Sequence, residues 1–300
     1  MTIYNIIKML DTYWSNLGYS VVPSYDGPVG AATFHPQTFV NAVLGNKCKL
    51  AFAQKCRRPS DSILEDLNTG LHLNSFLQYQ VICAHGKGHP HPQDVLELYE
   101  GSLEYLQLDL KHNDFKYIED DWSSPSLGAF GRGWEVALNG LEITQITYFD
   151  RFAGEKNCSM SEIAYGVERL ALAINNSCSY ADLQYDDHLP FVALIKQEER
   201  DHNQLHTVAL SSSNTTYAEK DIARDLSLIN ELLDKELFYP AYDLFVLLNN
   251  KFNFNVANVD VFQHSHYKHY MHSITALAVR LAKVLKALND RNDTKPNVVT

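Results

Sequence analysis

The 300 residues include 45% hydrophobic and 20% charged side chains, with 17 Tyr and 14 Phe spread along them, which excludes disorder, collagen-like repeats and coiled-coil arrays. Lysine and arginine number 25 against 36 aspartate and glutamate, a net charge of −11; phosphate contacts dominate nucleic-acid affinity, so no stand-alone DNA or RNA binder is expected, and an RNA substrate would need another chain for most of its binding surface. No apolar run reaches the ~18 residues of a membrane span, the first residues do not read as a signal peptide, and the odd set Cys48, Cys56, Cys83, Cys158 and Cys178 forms no CxxC, so the expected setting is a reducing cytoplasm.

Ile3, Ile6, Ile7, Leu10, Trp14 and Leu17 recur at helical spacing, with Gly18 as a C-cap. Tyr19–Pro23 reads as a short strand, and a helix is predicted from Pro36 because proline suits a first turn. Strands are predicted at 50–54 (LAFAQ) and 76–83 (FLQYQVIC), joined by a long polar loop that begins with Arg57, Arg58 and Pro59. The stretch 85–92 (HGKGHPHP) must be loop. Residues 93–107 suit a helix, 115–149 are β-rich, and 163–174 (IAYGVERLALAI) read as a helix capped by Ser159 or Ser161. Length suggests about two domains. Texture changes near 185–220, so an α+β part is expected to precede a helical part, whose clearest amphipathic helix carries Ile274, Leu277, Leu281, Val284, Leu285 and Leu288.

Asn139-Gly140 lies between two alternating runs and signals a two-residue hairpin turn. A regular register pairs Leu138 with Leu141, Ala137 with Glu142 and Glu135 with Thr144. Glu135, Ala137, Glu142 and Thr144 then share one face, and Trp134, Val136, Ile143 and Gln145 the other. Two carboxylates on one buried face call for a cation: Arg132, a Mg²⁺ ion or a substrate ammonium would serve, whereas on a solvated face they would be plain surface charges.

Arg57 and Arg58 at a strand end, and Arg169 within GVERL, have the planar fork that suits phosphate, though structural ion pairs are an equally natural use. His85, His89 and His91 share a loop with no matching acid or Cys cluster. His264, His266, His269 and His272 suit a solvated helix face, and Arg280, Lys283 and Lys286 sit near a helix end that favours cations. Neither GxGxxG nor GxxxxGK[ST] occurs.

The order of helix, short strand and Pro23, then strand, arginine loop and strand, then a strand pair and the GVERL helix, resembles the three motifs of class II aminoacyl-tRNA synthetases. VGAATFHPQTF (29–39), RRPSD (57–61), QYQV (78–81), residues 119–149, EIAYGVERLA (162–171) and PAYD (240–243) resemble the α subunit of the bacterial two-chain glycyl-tRNA synthetase, over about residues 3 to 290. The resemblance implies an α+β fold: an antiparallel sheet flanked by helices at 1–185 as catalytic domain, a transition region at 186–220 and a helical C-terminal domain at 221–300. It implies ATP-dependent activation of glycine, with Mg²⁺, by an α homodimer within an α2β2 tetramer whose β subunit supplies most tRNA(Gly) recognition. Carried residue by residue, Arg57 or Arg58 matches the arginine on the ATP α-phosphate and glycine carboxylate, and Arg169 the one over the γ-phosphate; these are the implied catalytic groups. Phe76 matches the adenine-stacking position, with Gln78 beside it facing the site, and Gly166 and Glu168 fall in the same ATP motif. Glu135 and Glu142 match the acids that hold Mg²⁺ or the glycine ammonium. Gln80, Trp122, Thr144 and Gln145 fall in the implied glycine pocket, with Thr144 and Gln145 on opposite faces, and the bulk of Trp122 or Trp134 would exclude larger amino acids. A diverged, catalytically inactive paralogue that acts as scaffold or regulator is the alternative.

Overall fold

The first helix, α1 (Ile3–Asn16), buries Ile3, Ile6, Leu10 and Trp14, the stripe its spacing predicts, and the Thr2 hydroxyl caps it by accepting the Asn5 N–H. The structure is a computed structural model that describes residues 1–58, 72–84, 92–156, 158–211, 215–258 and 264–293. The loop expected after Arg58 falls mostly outside the described residues, as do His85, His89 and His91. β1 (Ser20–Val21) follows, then α2 (Pro36–Leu44), which starts at its proline with His35 as N-cap and ends at Gly45.

β2 (Cys48–Arg57) and β3 (Ser75–Ala84) pair antiparallel, and α3 (Pro92–Tyr105) comes next. The β-rich stretch supplies β4 (Phe115–Glu119), β5 (Trp122–Ser124), β6 (Ala129–Leu138), β7 (Leu141–Phe152) and β8 (Glu155–Lys156). β9 (Met160–Gly166) then runs into α4 (Val167–Asn175). This corrects the helix predicted for 163–174: its first four residues are strand. β9 pairs with β3 on one side and β7 on the other, and Met160–Tyr165 are all buried. A strand buried on both faces loses the alternation that would distinguish it from a buried helix.

The sheet order is β1-β2-β3-β9-β7-β6-β4, with β5 on β6 and β8 on β7. Every pairing is antiparallel except β1 with β2, so the sheet is mixed. On one face Ala51, Tyr79, Val81, Ile163 and Tyr165 pack with α1, α3 and α4. On the other, Phe52, Ile82, Phe149 and Met160 share one apolar cluster with α2 and with the C-terminal helices α6 (Thr215–Asp234), α7 (Phe238–Asn258) and α8 (His264–Asp293). The Tyr242 hydroxyl donates to the Phe34 carbonyl at 2.9 Å, and Tyr25 donates to Asp243 at 2.6 Å, so the PAYD stretch is tied to the N-terminal half. The region 186–220 holds α5 (Phe191–Ser211) and the first turns of α6.

Arg280, Lys286 and Arg291 of α8 answer acids of this chain. Arg280 bonds Asn230 and Asp234, and Lys286 bonds Glu155. His269 and His272 are exposed, as a solvated face requires. No helix among the described residues is long and apolar enough to cross a membrane.

Candidate active site

The face of the sheet that carries the C-terminal helices also opens a cavity of about 540 Å³, a size that suits small-molecule sites. Strand alternation decides which arginine enters it. Gln54 and Cys56 lie on the cavity face of β2, so Arg58 continues that face while Lys55 and Arg57 turn away. Arg58 lines the cavity, with its guanidinium carbon 5.0 Å from the centre of the Phe76 ring and its Nε donating to the Gly30 carbonyl at 3.0 Å. Arg57 points instead at α5, with Nη1 3.0 Å from Glu198 Oε1 and 3.1 Å from His202 Nε2. Of the two arginines the sequence left open, the structure brings Arg58 to the cavity and turns Arg57 to α5.

The carboxylate hairpin has the predicted turn but not the predicted register. Asn139 and Gly140 both take positive φ, 53° and 82°, the conformation a two-residue turn of this type requires. Leu138 faces Leu141 and Ala137 faces Glu142, but beyond that point Ile143 is an extra residue, so Val136 faces Thr144 and Glu135 faces Gln145. This bulge reverses the alternation of β7. Glu135, Glu142 and Gln145 therefore share the cavity face. The Thr144 side chain is turned to the far side, where it meets Tyr99 of α3, and only its place in the strand brings it to the cavity wall. Trp122 lines the cavity and packs edge-on against Phe149, whereas Trp134 packs against Tyr117 and Tyr148 on the far face.

Asp120, which the sequence reading did not single out, joins Glu135 and Glu142 in the lining. Burial, then the Glu142 and Asp120 charges, raise the Glu135 carboxyl above its ordinary value, so this corner favours a cation. Arg132, one predicted partner, is instead paired at the surface with Asp150. Arg169 reaches in from the first turn of α4 and donates to Glu142 Oε2 at 2.7 Å. No group of three His, Cys, Asp or Glu residues forms a metal cage among the described residues. A Mg²⁺ ion carried by phosphates needs only one or two carboxylates, and Glu135 and Glu142 fit that demand.

The floor is polar. Glu162 is 2% exposed and accepts from the Thr33 hydroxyl at 2.7 Å, while its second oxygen, Thr147 Oγ1 and Gln145 Nε2 find no hydrogen-bond partner among the described residues. Burial pushes the Glu162 carboxyl up to about 7, against the opposing pull of Thr33 and Gln80. Buried Gln80 lies on this same face, and Gln78 beside it accepts the Ala32 N–H at 2.8 Å. Glu162 and Thr33 are site residues the sequence reading missed. Reading 163–174 as a helix hid the strand whose alternation presents Glu162, Ala164 and Gly166 to the cavity. Gly166 is also the N-cap of α4. Glu168 lines the wall, but both its oxygens accept the Leu77 N–H at 2.9 and 3.1 Å, so its carboxylate joins α4 to β3.

The chain is a mixed sheet flanked by helices, with a helical C-terminal region. Two solved structures of pyrrolysyl-tRNA synthetase from Desulfitobacterium hafniense are similar to it: each is 13% identical, with TM-scores of 0.43 and 0.42, covering 63% and 62% of this chain and 76% and 72% of theirs. The family profile described as Glycyl-tRNA synthetase alpha subunit matches residues 3–290, and the chain belongs to that family. Membership of that family supports aminoacyl-tRNA charging, a ligase activity on an amino acid, ATP and tRNA.

Proposed function

We propose that this chain activates glycine with ATP, forming glycyl-adenylate and pyrophosphate, and that with a β subunit it charges tRNA(Gly) in the cytoplasm. The observation that carries this reading is a single cavity with Arg58 and Arg169 in its walls and a buried, half-partnered carboxylate, Glu162, in its floor. Guanidinium groups suit the triphosphate and the amino-acid carboxylate. Glu162, with Thr33 and Gln80 around it, suits a primary ammonium, which would complete its unpartnered oxygen. The net charge of −11 supports leaving most tRNA contact to another subunit, and an α homodimer within an α2β2 assembly is part of the proposal.

Both reactants are anions, so the chemical demand is for alignment and charge neutralisation. One oxygen of the glycine carboxylate attacks the α-phosphorus; the bond from that phosphorus to the β-phosphate oxygen breaks, and pyrophosphate leaves with the electron pair. The carboxylate is already ionised, so no residue need act as a general base. Arg58 would hold the α-phosphate beside the glycine carboxylate, Phe76 would stack on adenine, and Arg169 would neutralise the terminal phosphate. Glu135 and Glu142 would hold Mg²⁺, which when bound supplies further neutralisation of the phosphates. Trp122 in the wall limits room beyond the α-carbon, and one added methylene is commonly discriminated by roughly ten- to two-hundred-fold.

The test is glycine-dependent exchange of pyrophosphate into ATP, by the chain alone and with a β subunit, with alanine and serine for comparison. Exchange with glycine far above the other two is expected. No exchange in any condition would leave the scaffold reading, and preference for alanine or serine would overturn the choice of amino acid.

A further inference from the structure

β9 ends at Gly166, opposite Gln78, so β3 has a strand neighbour on that side only from Gln78 onward. Its other neighbour, β2, continues to Ser75. Asn74, Ser75 and Leu77 thus present N–H groups to a side where the sheet has stopped, and buried N–H groups must be satisfied. Two helix carboxylates satisfy them. Glu168 takes the Leu77 N–H, and Glu199 of α5 takes the Asn74 and Ser75 N–H groups at 2.9 Å each. Glu199 also accepts from the Asn74 side-chain amide at 3.0 Å, and Asn203 one turn on accepts from it at 2.9 Å. Glu199, Asn74 and Ser75 are all buried. Burial chiefly, and the Glu199 charge in lesser measure, push the Glu168 carboxyl up to about 8.

The same turn of α5 holds the partner strand. Glu198 lies 2.9 Å from Lys55 Nζ and 3.0 Å from Arg57 Nη1, and His202 touches Arg57 as well. One side of α5 therefore grips both strand ends, at 55–57 and at 74–75. Between these grips lie Arg58 and Phe76, stacked on each other in the cavity wall.

We propose that Glu199 is a positioning residue for the nucleotide side of the cavity. By closing the open edge of β3 it fixes Phe76 and, through the stack, Arg58, which makes α5 part of the catalytic unit. The proposal rests on reading the cavity as an ATP site.

Glu199→Gln keeps the shape but turns an amide NH₂ toward backbone donors. Since the lost bonds are charge-assisted, the KM for ATP in pyrophosphate exchange should rise roughly tenfold, with the KM for glycine nearly unchanged. Asn203→Ala, which removes the second bond to the Asn74 amide, should raise it roughly threefold and serves if the first variant fails to fold. A merely structural role would reduce the active fraction, and hence kcat, without moving either KM. An unchanged KM for ATP in the folded variants overturns the proposal. Calorimetric titration of ATP without glycine separates this idea from the glycine assignment. Wild type that binds ATP but shows no glycine-dependent exchange would refute the glycine reading, while the variants' ATP affinity would still decide this one. Wild type that binds no ATP would overturn both.

Discussion

Arg169 Nη1 sits 2.7 Å from Glu142 Oε2 and 3.4 Å from the Glu142 carbonyl oxygen. The guanidinium that would meet the terminal phosphate is thus held by a carboxylate on the neighbouring strand, and a triphosphate must compete with Glu142 for it. The pair is partly exposed, at 23% and 41%, and exposed pairs contribute little to folding. Arg169→Ala should therefore leave the melting temperature within a few degrees of wild type. Exchange should fall by roughly two to three orders of magnitude, the usual loss for a group that meets charge developing in the transition state. Wild-type rates in a folded Arg169→Ala variant would reject this role.

Arg57 and Arg58 are adjacent, and their geometry separates them. Arg58 stacks on Phe76 inside the cavity, whereas Arg57 is committed to Glu198 and His202. Arg58→Ala should lower exchange at least roughly a hundredfold. Arg57→Ala loosens a half-exposed contact with α5 and should stay within about tenfold. Parallel kinetics of the two variants check the assignment; equal losses would refute it.

The helical stripe of α1, the start of α2 at Pro36 and the turn at Asn139-Gly140 were legible because each follows from local chemistry: apolar spacing, a proline at a first turn, and a dipeptide that tolerates positive φ. The three-motif order was legible from the resemblance. Features set by neighbours rather than by the local chain were not. Nothing in LEITQIT marks Ile143 as an extra residue, because a bulge lies in the pairing of two strands. β9 is buried on both faces, so its period is hidden and Glu162 with it. Choosing between Arg57 and Arg58 requires knowing which face of β2 the cavity occupies.

The bulge can be tested directly. Gln145 shares the cavity face with Glu135, and its Nε2 finds no partner among the described residues, whereas Thr144 turns toward Tyr99. Gln145→Ala should raise the KM for glycine roughly tenfold, the scale of one or two lost hydrogen bonds, with little change in melting temperature. Thr144→Val keeps the shape of a buried side chain and should leave KM unchanged. The reverse pattern would restore the regular register and place Thr144 in the pocket.

Glu162 gives the pH dependence its sign. The ordinary carboxyl value is 4.5, and burial raises this one to about 7. Between those values the folded chain binds more protons than the unfolded chain, so stability is greatest below the lower value and falls as pH rises through the upper. The loss from this one residue is roughly 3 kcal/mol, and Glu162→Gln should remove it: the variant should match wild type near pH 4 and melt higher near pH 8. Catalysis should run the other way. An ammonium beside Glu162 favours the ionised acid, so below about 7 glycine binding must first release a proton. The KM for glycine should then rise by about tenfold per pH unit on the acid side of 7 and level off above it. Glu168, raised to about 8 by burial, titrates in the same wall. Comparison with Glu162→Gln isolates the Glu162 contribution, since that variant should bind glycine weakly and lose the acid-side slope. A wild-type KM for glycine that stays flat from about pH 5.5 to 8.5 would remove Glu162 from the ammonium site.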